Sequence, residues 1–160
     1  MIEQSDRKFI LAFRLLMAWT FLYAASHQVL NPKFSAVAFL SHTKTFHDVY
    51  AVIAVPAFDP ALTFLVSYGH LLIGLSLLVG FMVRVSGIAG ILLLMTYWTA
   101  HMDWPFIENQ NNLIIDYHIV YSAVLLFLVA KGAGHVWGLD AWASNLPLFQ
   151  KNRFLRALVS

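Results

Sequence analysis

An all-α integral membrane four-helix bundle, a single domain with both termini cytoplasmic, is the fold class this sequence predicts. Of the 160 residues, 60% are hydrophobic and only 11% charged. The mean hydropathy is +0.71, far from the balance of a soluble domain. The apolar residues gather into four runs of about the 20 residues that cross a hydrocarbon core roughly 30 Å thick. The basic residues stand at the ends of those runs, where they orient a membrane protein. That placement accounts for the net charge of +2 and the pI near 9.0 without a nucleic-acid partner. The chain has no cysteine, which excludes disulfides, iron–sulfur clusters, cysteine-ligated zinc and any thiol nucleophile. No glycine-rich fingerprint follows a predicted strand, so there is no self-contained flavin or nicotinamide domain. Redox chemistry in this chain would need a lipid-soluble quinone, a haem held by histidine, or a partner subunit.

The first run, 9–30, follows Arg7 and Lys8 and contains Ala24-Ala25-Ser26, which raises a cleaved signal peptide. Its length and the interruption by Arg14 favour a transmembrane helix instead. Trp19, Tyr23 and His27 recur at i, i+4 and i+8 and so share one face; they read either as a packing stripe with an interfacial histidine or as part of a site. From Asn31-Pro32 to Pro60 the composition is mixed, as expected of a structured loop with a short helix on the membrane surface. His42 and His47 lie five apart there, poor spacing for two ligands on one helical face, and read as solvated loop histidines.

The second helix is expected over 61–83, ending at Arg84. Thr63, Ser67, His70 and Gly74 make a polar or small stripe that faces other helices. His70 is either a satisfied buried histidine or a functional one. A tight turn at Arg84 leads to the third helix, 85–102, where Ser86, Gly87 and Gly90 permit close contact. Tyr97, Trp98 and His101 fall on adjoining positions near its end, as an aromatic belt or as a pocket wall. The fourth helix, 113–131, carries Asp116 and His118 inside an apolar span. An ionisable group near the bilayer centre costs about 2.5–3.5 kcal/mol and generally faces the protein interior. Two residues apart on a helix, these two point about 200° away from each other, so one serves a pocket while the other meets a neighbour; Asp116 alternatively only charges the helix N-terminus. After Gly132-Ala133-Gly134, the tail 135–160 mixes Trp137, Trp142, Phe149 and Phe154 with Lys151, Arg153 and Arg156, a pattern for an amphipathic segment on the anionic cytoplasmic surface.

Arg7, Lys8, Arg84, Lys131, Lys151, Arg153 and Arg156 fall on one side, Lys33 and Lys44 on the other. The positive-inside rule then puts both termini in the cytoplasm of a multi-pass cell-membrane protein. In that topology His27, His70, His101, Asp116 and His118 all reach the outer leaflet, one group or more from each helix. Their agreement in depth marks this end as the candidate site.

Three stretches together resemble the DoxX/DoxD family of small four-helix membrane proteins: Gly74-Leu75-Ser76-Leu77-Leu78-Val79-Gly80-Phe81-Met82-Val83-Arg84, the acid-x-histidine of Asp116 and His118, and Gly132-Ala133-Gly134-His135-Val136-Trp137-Gly138-Leu139-Asp140. Arg14-Leu15-Leu16 with Trp19 and Asn31-Pro32 extends the likeness over most of the chain, which departs from it at His135, where many members have arginine, and at His70, where an acid is common. The resemblance implies a link to respiratory chemistry, since DoxD-like proteins include the large subunit of an archaeal thiosulfate:quinone oxidoreductase that works with a DoxA-like partner. Other relatives are accessory or assembly subunits.

Together these readings predict a membrane subunit that handles a quinone in an outward-facing pocket. His70, Asp116 and His118 would transfer protons or bond the ligand, because imidazole titrates near neutral pH. Trp19, His27, Tyr97, Trp98 and His101 would line the cofactor site, and Arg14 and Arg84 would be structural charges or anion contacts. No metal site is expected. Haem b is the alternative cofactor, with two of His27, His70, His101 and His118 as axial ligands; a non-catalytic scaffold of a larger complex is the alternative of another class. The expected partners are the lipid bilayer and a membrane or exported subunit, with self-association left open.

Overall fold

The computed structural model describes residues 3–159. Helix α1, Gln4–Val29, is followed by two short helices, α2, Ala36–Leu40, and α3, His47–Ala51. Next come α4, Asp59–Val79, and α5, Val83–Ala100. A small antiparallel sheet, β1 Met102–Asp103, β2 Phe106–Ile107 and β3 Asn109–Leu113, leads into α6, Tyr117–Ala130. Three short helices complete the chain: α7 Leu139–Ala143, α8 Pro147–Lys151 and α9 Arg153–Leu158.

The four long helices form a ring in which α1 packs on α4, α4 on α5, α5 on α6 and α6 on α1. Ile10, Met17 and Phe21 of α1 meet Ile73 and Leu77 of α4, Leu94 of α5, and Leu125 and Leu128 of α6 in one core. Small residues set the spacing, because a Cβ at Gly90 would come within 2.8 Å of the Leu125 side chain. The outside is apolar as well: Leu16, Leu72, Leu92 and Leu126 are each at least 60% exposed. A helix apolar all round belongs in a large core or in lipid. Three segments, Gln4–Val29, Pro56–Val79 and Val83–Ala100, are long and apolar enough to cross a membrane.

Several boundaries differ from those expected. The second helix does not reach residue 83: Gly80 takes a left-handed conformation at φ +69° and closes α4 with a bond from its N–H to Ser76 O. Apolar Phe81 and Met82 hid this turn in the hydropathy, and Arg84 lies in the first turn of α5. The fourth helix starts at Tyr117, not at 113, because Asn109–Leu113 pairs with β2 as a strand, Phe106 opposite Leu113, and Asp116 caps the helix. With 14 residues, α6 is about 21 Å long, shorter than a full hydrocarbon core. In the 31–60 loop, the Tyr50 hydroxyl reaches Thr96 O at 3.0 Å and Thr99 Oγ1 at 2.6 Å. Those bonds hold α3 against α5.

The tail predicted over 135–160 does not simply lie on a surface. Its first part folds into the end of the bundle that holds the α4–α5 turn, the turn end, where Val136, Asp140 and Ala143 are buried together with Ala133 just before it. Arg14 Nη1 donates to Ala133 O at 2.6 Å and Val136 O at 2.9 Å, and Nη2 to Trp137 O at 3.3 Å. Asp140 accepts from the N–H of Met82 at 2.6 Å and of Val83 at 3.2 Å, which caps α5 from 57 residues away. Burial pushes the Asp140 carboxyl up, against those two N–H groups and the charges of His135 and Arg14, which pull it down. A Cβ on Gly134 would overlap Asp140 Oδ2, and one on Gly80 would lie 2.7 Å from Arg14 Nη1. Glycine at both positions lets the tail, the turn and Arg14 close on one another.

Candidate functional site

The opposite end of the ring, the loop end, holds a half-open cavity of about 180 Å³. Each long helix contributes to its wall: Phe21 and Gln28 from α1, His70 from α4, Leu94 and Tyr97 from α5, and His118 and Tyr121 from α6, with His101 just beyond α5. Helical spacing explains the α1 contribution. Arg14, Met17, Phe21, Ala24 and Gln28 recur at three or four residues and so share the inward face.

Asp116 sits outside the helix as the N-cap of α6, with its backbone extended. One carboxylate oxygen, Oδ1, accepts the backbone N–H of His118 at 3.0 Å. The other, Oδ2, accepts His118 Nδ1–H at 2.6 Å, and both side chains are buried, 0% and 4% exposed. The expectation that these residues point in opposite directions therefore fails, because a cap residue does not follow the 100° step of the helix. Asp116 fixes the ring orientation and the tautomer of His118, as a carboxylate behind an imidazole does.

The remaining rings form a continuous cluster. Tyr97 stacks parallel to His118 at 6.1 Å between centroids, His101 lies 5.3 Å from His118, and His70 meets Tyr97 edge-on at 5.7 Å. Phe21 closes the far side of His70 at 5.7 Å. His70 Nδ1–H donates to Val66 O at 2.8 Å, and His101 Nδ1–H to Tyr97 O at 2.9 Å. A carbonyl only accepts, so in the neutral rings the proton sits on Nδ1 and Nε2 is an acceptor. None of the three Nε2 atoms has a hydrogen-bond partner among the described residues. Gln28 Nε2 donates to the Tyr97 hydroxyl at 3.4 Å, while the buried Gln28 Oε1 is unpartnered among the described residues.

His101 also lines a second, polar hollow of about 310 Å³, with Phe39, His42, Lys44, Asp103 and Glu108 around it. Lys44 and Asp103 pair at 2.6 Å, both well exposed, so the pair adds little to stability. Among the described residues, no three of His, Asp and Glu are grouped so as to hold a metal ion.

His70, His101, His118 and Tyr97 thus share one cavity, with Asp116 directly behind it. Other sequence-derived candidates lie elsewhere. Trp19 is 68% exposed and stacks on Tyr23 on the outer face of α1, and His27 bonds Tyr23 O on that same face. Trp98 Nε1–H donates to Ile114 O at 2.8 Å, which pins the segment before α6 and leaves the cavity to others. Arg14 and Arg84 belong to the turn end. Sequence reasoning missed Gln28, Phe21, Tyr117 and Tyr121. Counting from Arg14 in steps of three and four finds Phe21 and Gln28, since a charge inside an apolar span must face inward.

The fold and site define a class: a helical bundle with membrane-length apolar helices and a histidine–tyrosine cavity at one end. Comparison with protein-family models, with curated proteins and with solved structures gives no match for this chain.

Proposed function

We propose that the chain is a membrane subunit of a quinone-linked respiratory oxidoreductase, similar to the DoxD-like proteins, with thiosulfate:quinone oxidation as the reaction that this resemblance names. The observation that carries the reading is the buried Asp116–His118 pair beside a small, ring-lined cavity with His70 on another wall. Quinone chemistry moves protons with electrons, and a positioned imidazole backed by a carboxylate is suited to hold or pass one. His118 does so at Nε2 while Asp116 holds its Nδ1–H; His70 and His101 offer further Nε2 atoms, and Phe21, Leu94 and Tyr97 keep the site apolar. An engineered cavity of about 150 Å³ admits benzene, so about 180 Å³ fits a single-ring head group. Haem is served less well. A porphyrin needs a larger slot between opposed imidazoles, whereas His101 and His118 stack directly on one another. The distribution of Lys and Arg supports an outer-leaflet placement of the cavity, and electrons exchange with a partner subunit.

The test is an absorption spectrum and a lipid extract of the protein purified gently in detergent. A ring ligand, extracted as quinone or quinol, retained by the wild type and lost from His70→Ala or His118→Ala, with no haem band, is the expected outcome. A dithionite-sensitive haem band overturns it. Neither cofactor, with a co-purifying protein, makes the chain a scaffold.

A further inference from the structure

The polarity of the cavity wall goes further than the identity of the ring it holds. The groups whose sense is fixed are acceptors: Nε2 of His70, His101 and His118, each committed by a bond at Nδ1. The hydroxyls of Tyr97, Tyr117 and Tyr121 rotate and serve in either sense. A quinone presents two carbonyl oxygens, which only accept. They find donors only in the tyrosine hydroxyls and leave the three imidazole Nε2 acceptors unmatched. The reduced ring presents two O–H groups, each able to donate to one of those acceptors. His70 on α4 and the pair His101 and His118 reach Tyr97 from different elements. Donors at opposite edges of one ring can therefore be met from separate walls.

We infer that this cavity is built for the hydroxyl-donating reduced form of its ring ligand, a quinol, in preference to the oxidised quinone. The inference rests on the quinone reading above and adds a sign to it. A site made to bond a hydroxyl discriminates against the analogue that lacks one, because its buried polar groups stay unpaired. One such bond corresponds to a preference of about tenfold. By linkage, a tenfold preference for the reduced form raises the midpoint potential of the bound two-electron couple by about 30 mV. Holding the reduced form favours reduction of an arriving quinone and retards release of the product.

The experiment is anaerobic equilibrium dialysis of the full chain in detergent at pH 8, where an ordinary imidazole is neutral. A short-tailed benzoquinol and its benzoquinone are the probes. The expected result is binding of the quinol about tenfold tighter than the quinone. In His101→Phe, which keeps a ring and removes one acceptor, the quinol affinity falls severalfold while the quinone affinity holds or rises, a split that general loss of structure would not produce. Equal affinities, or tighter quinone binding, overturn the inference and leave the quinone site standing. Binding of neither form overturns both.

Discussion

The two ends of the bundle are built on the same four helices and treat polar atoms in opposite ways. At the turn end, Arg14 gives bonds to three carbonyls and Asp140 accepts two backbone N–H groups. Among the described residues, only Arg14 Nε there is a buried side-chain atom without a partner, and glycines let the backbones touch. At the loop end, each cavity imidazole is held at one nitrogen and open at the other, and Gln28 Oε1 has no partner among the described residues. A buried polar group closed on nearly every side stabilises a fold, while one oriented on one side and open on the other is set up for a ligand. Charge inside an apolar helix is therefore not by itself a mark of function. Arg14, 2% exposed, is the most deeply buried charge in α1 and acts as a structural tie.

The largest effect of a single substitution is expected at the turn end. Gly134→Ala places a Cβ on Asp140 Oδ2, and neither the carboxylate nor the backbone can retreat without giving up the cap of α5. Overpacking of a closed site costs about 1–3 kcal/mol, and loss of the buried bonds adds about 1–3 more. Thermal unfolding in detergent should show a larger drop in melting temperature than Asp116→Asn or Trp19→Leu produces, or no folded protein at all. A melting temperature equal to the wild type would mean that the tail does not lock this end. In whatever folded fraction survives, ring binding at the loop end should persist.

That asymmetry also explains what was legible in the sequence. The long helices and the inward placement of His70 follow from hydropathy and spacing, because lipid leaves the backbone few options other than a helix. The turn at Gly80, the strand at Asn109–Leu113 and the cap at Asp116 did not follow. Each depends on a partner far along the chain or on a left-handed residue inside an apolar stretch, neither of which periodicity records. Asp140 capping α5 is the clearest case: Met82 has no capping side chain of its own. On α1 two stripes carry a periodic signal. Aromatic Trp19, Tyr23 and His27 mark the outer one, and the inward face is the one that Arg14 defines.

A finer cut separates two duties of one residue at the loop end. Asp116→Asn keeps a good N-cap, because asparagine caps about as well as aspartate, so stability should change by no more than about 1 kcal/mol. The amide oxygen still accepts His118 Nδ1–H, so the bond persists in its neutral form, weaker than the charge-assisted one by about 1 kcal/mol. Quinol affinity should then fall severalfold while the melting temperature drops by no more than about 4 °C. Parallel losses in both would mean that Asp116 serves the helix alone.

The smallest expected effect is also the most diagnostic for α1. Trp19 is 68% exposed, and it stacks on Tyr23, on the side of the helix away from the cavity. Trp19→Leu replaces one exposed apolar side chain by another, so stability should stay within about 0.5 kcal/mol and ligand affinity should not change measurably by equilibrium dialysis. Phe21, two residues on, is 2% exposed and touches His70. Phe21→Ala at that position should weaken binding where Trp19→Leu does not. If Trp19→Leu instead lowers affinity, the ligand lies against the outer stripe of α1 and the open nitrogens of the cavity face something else.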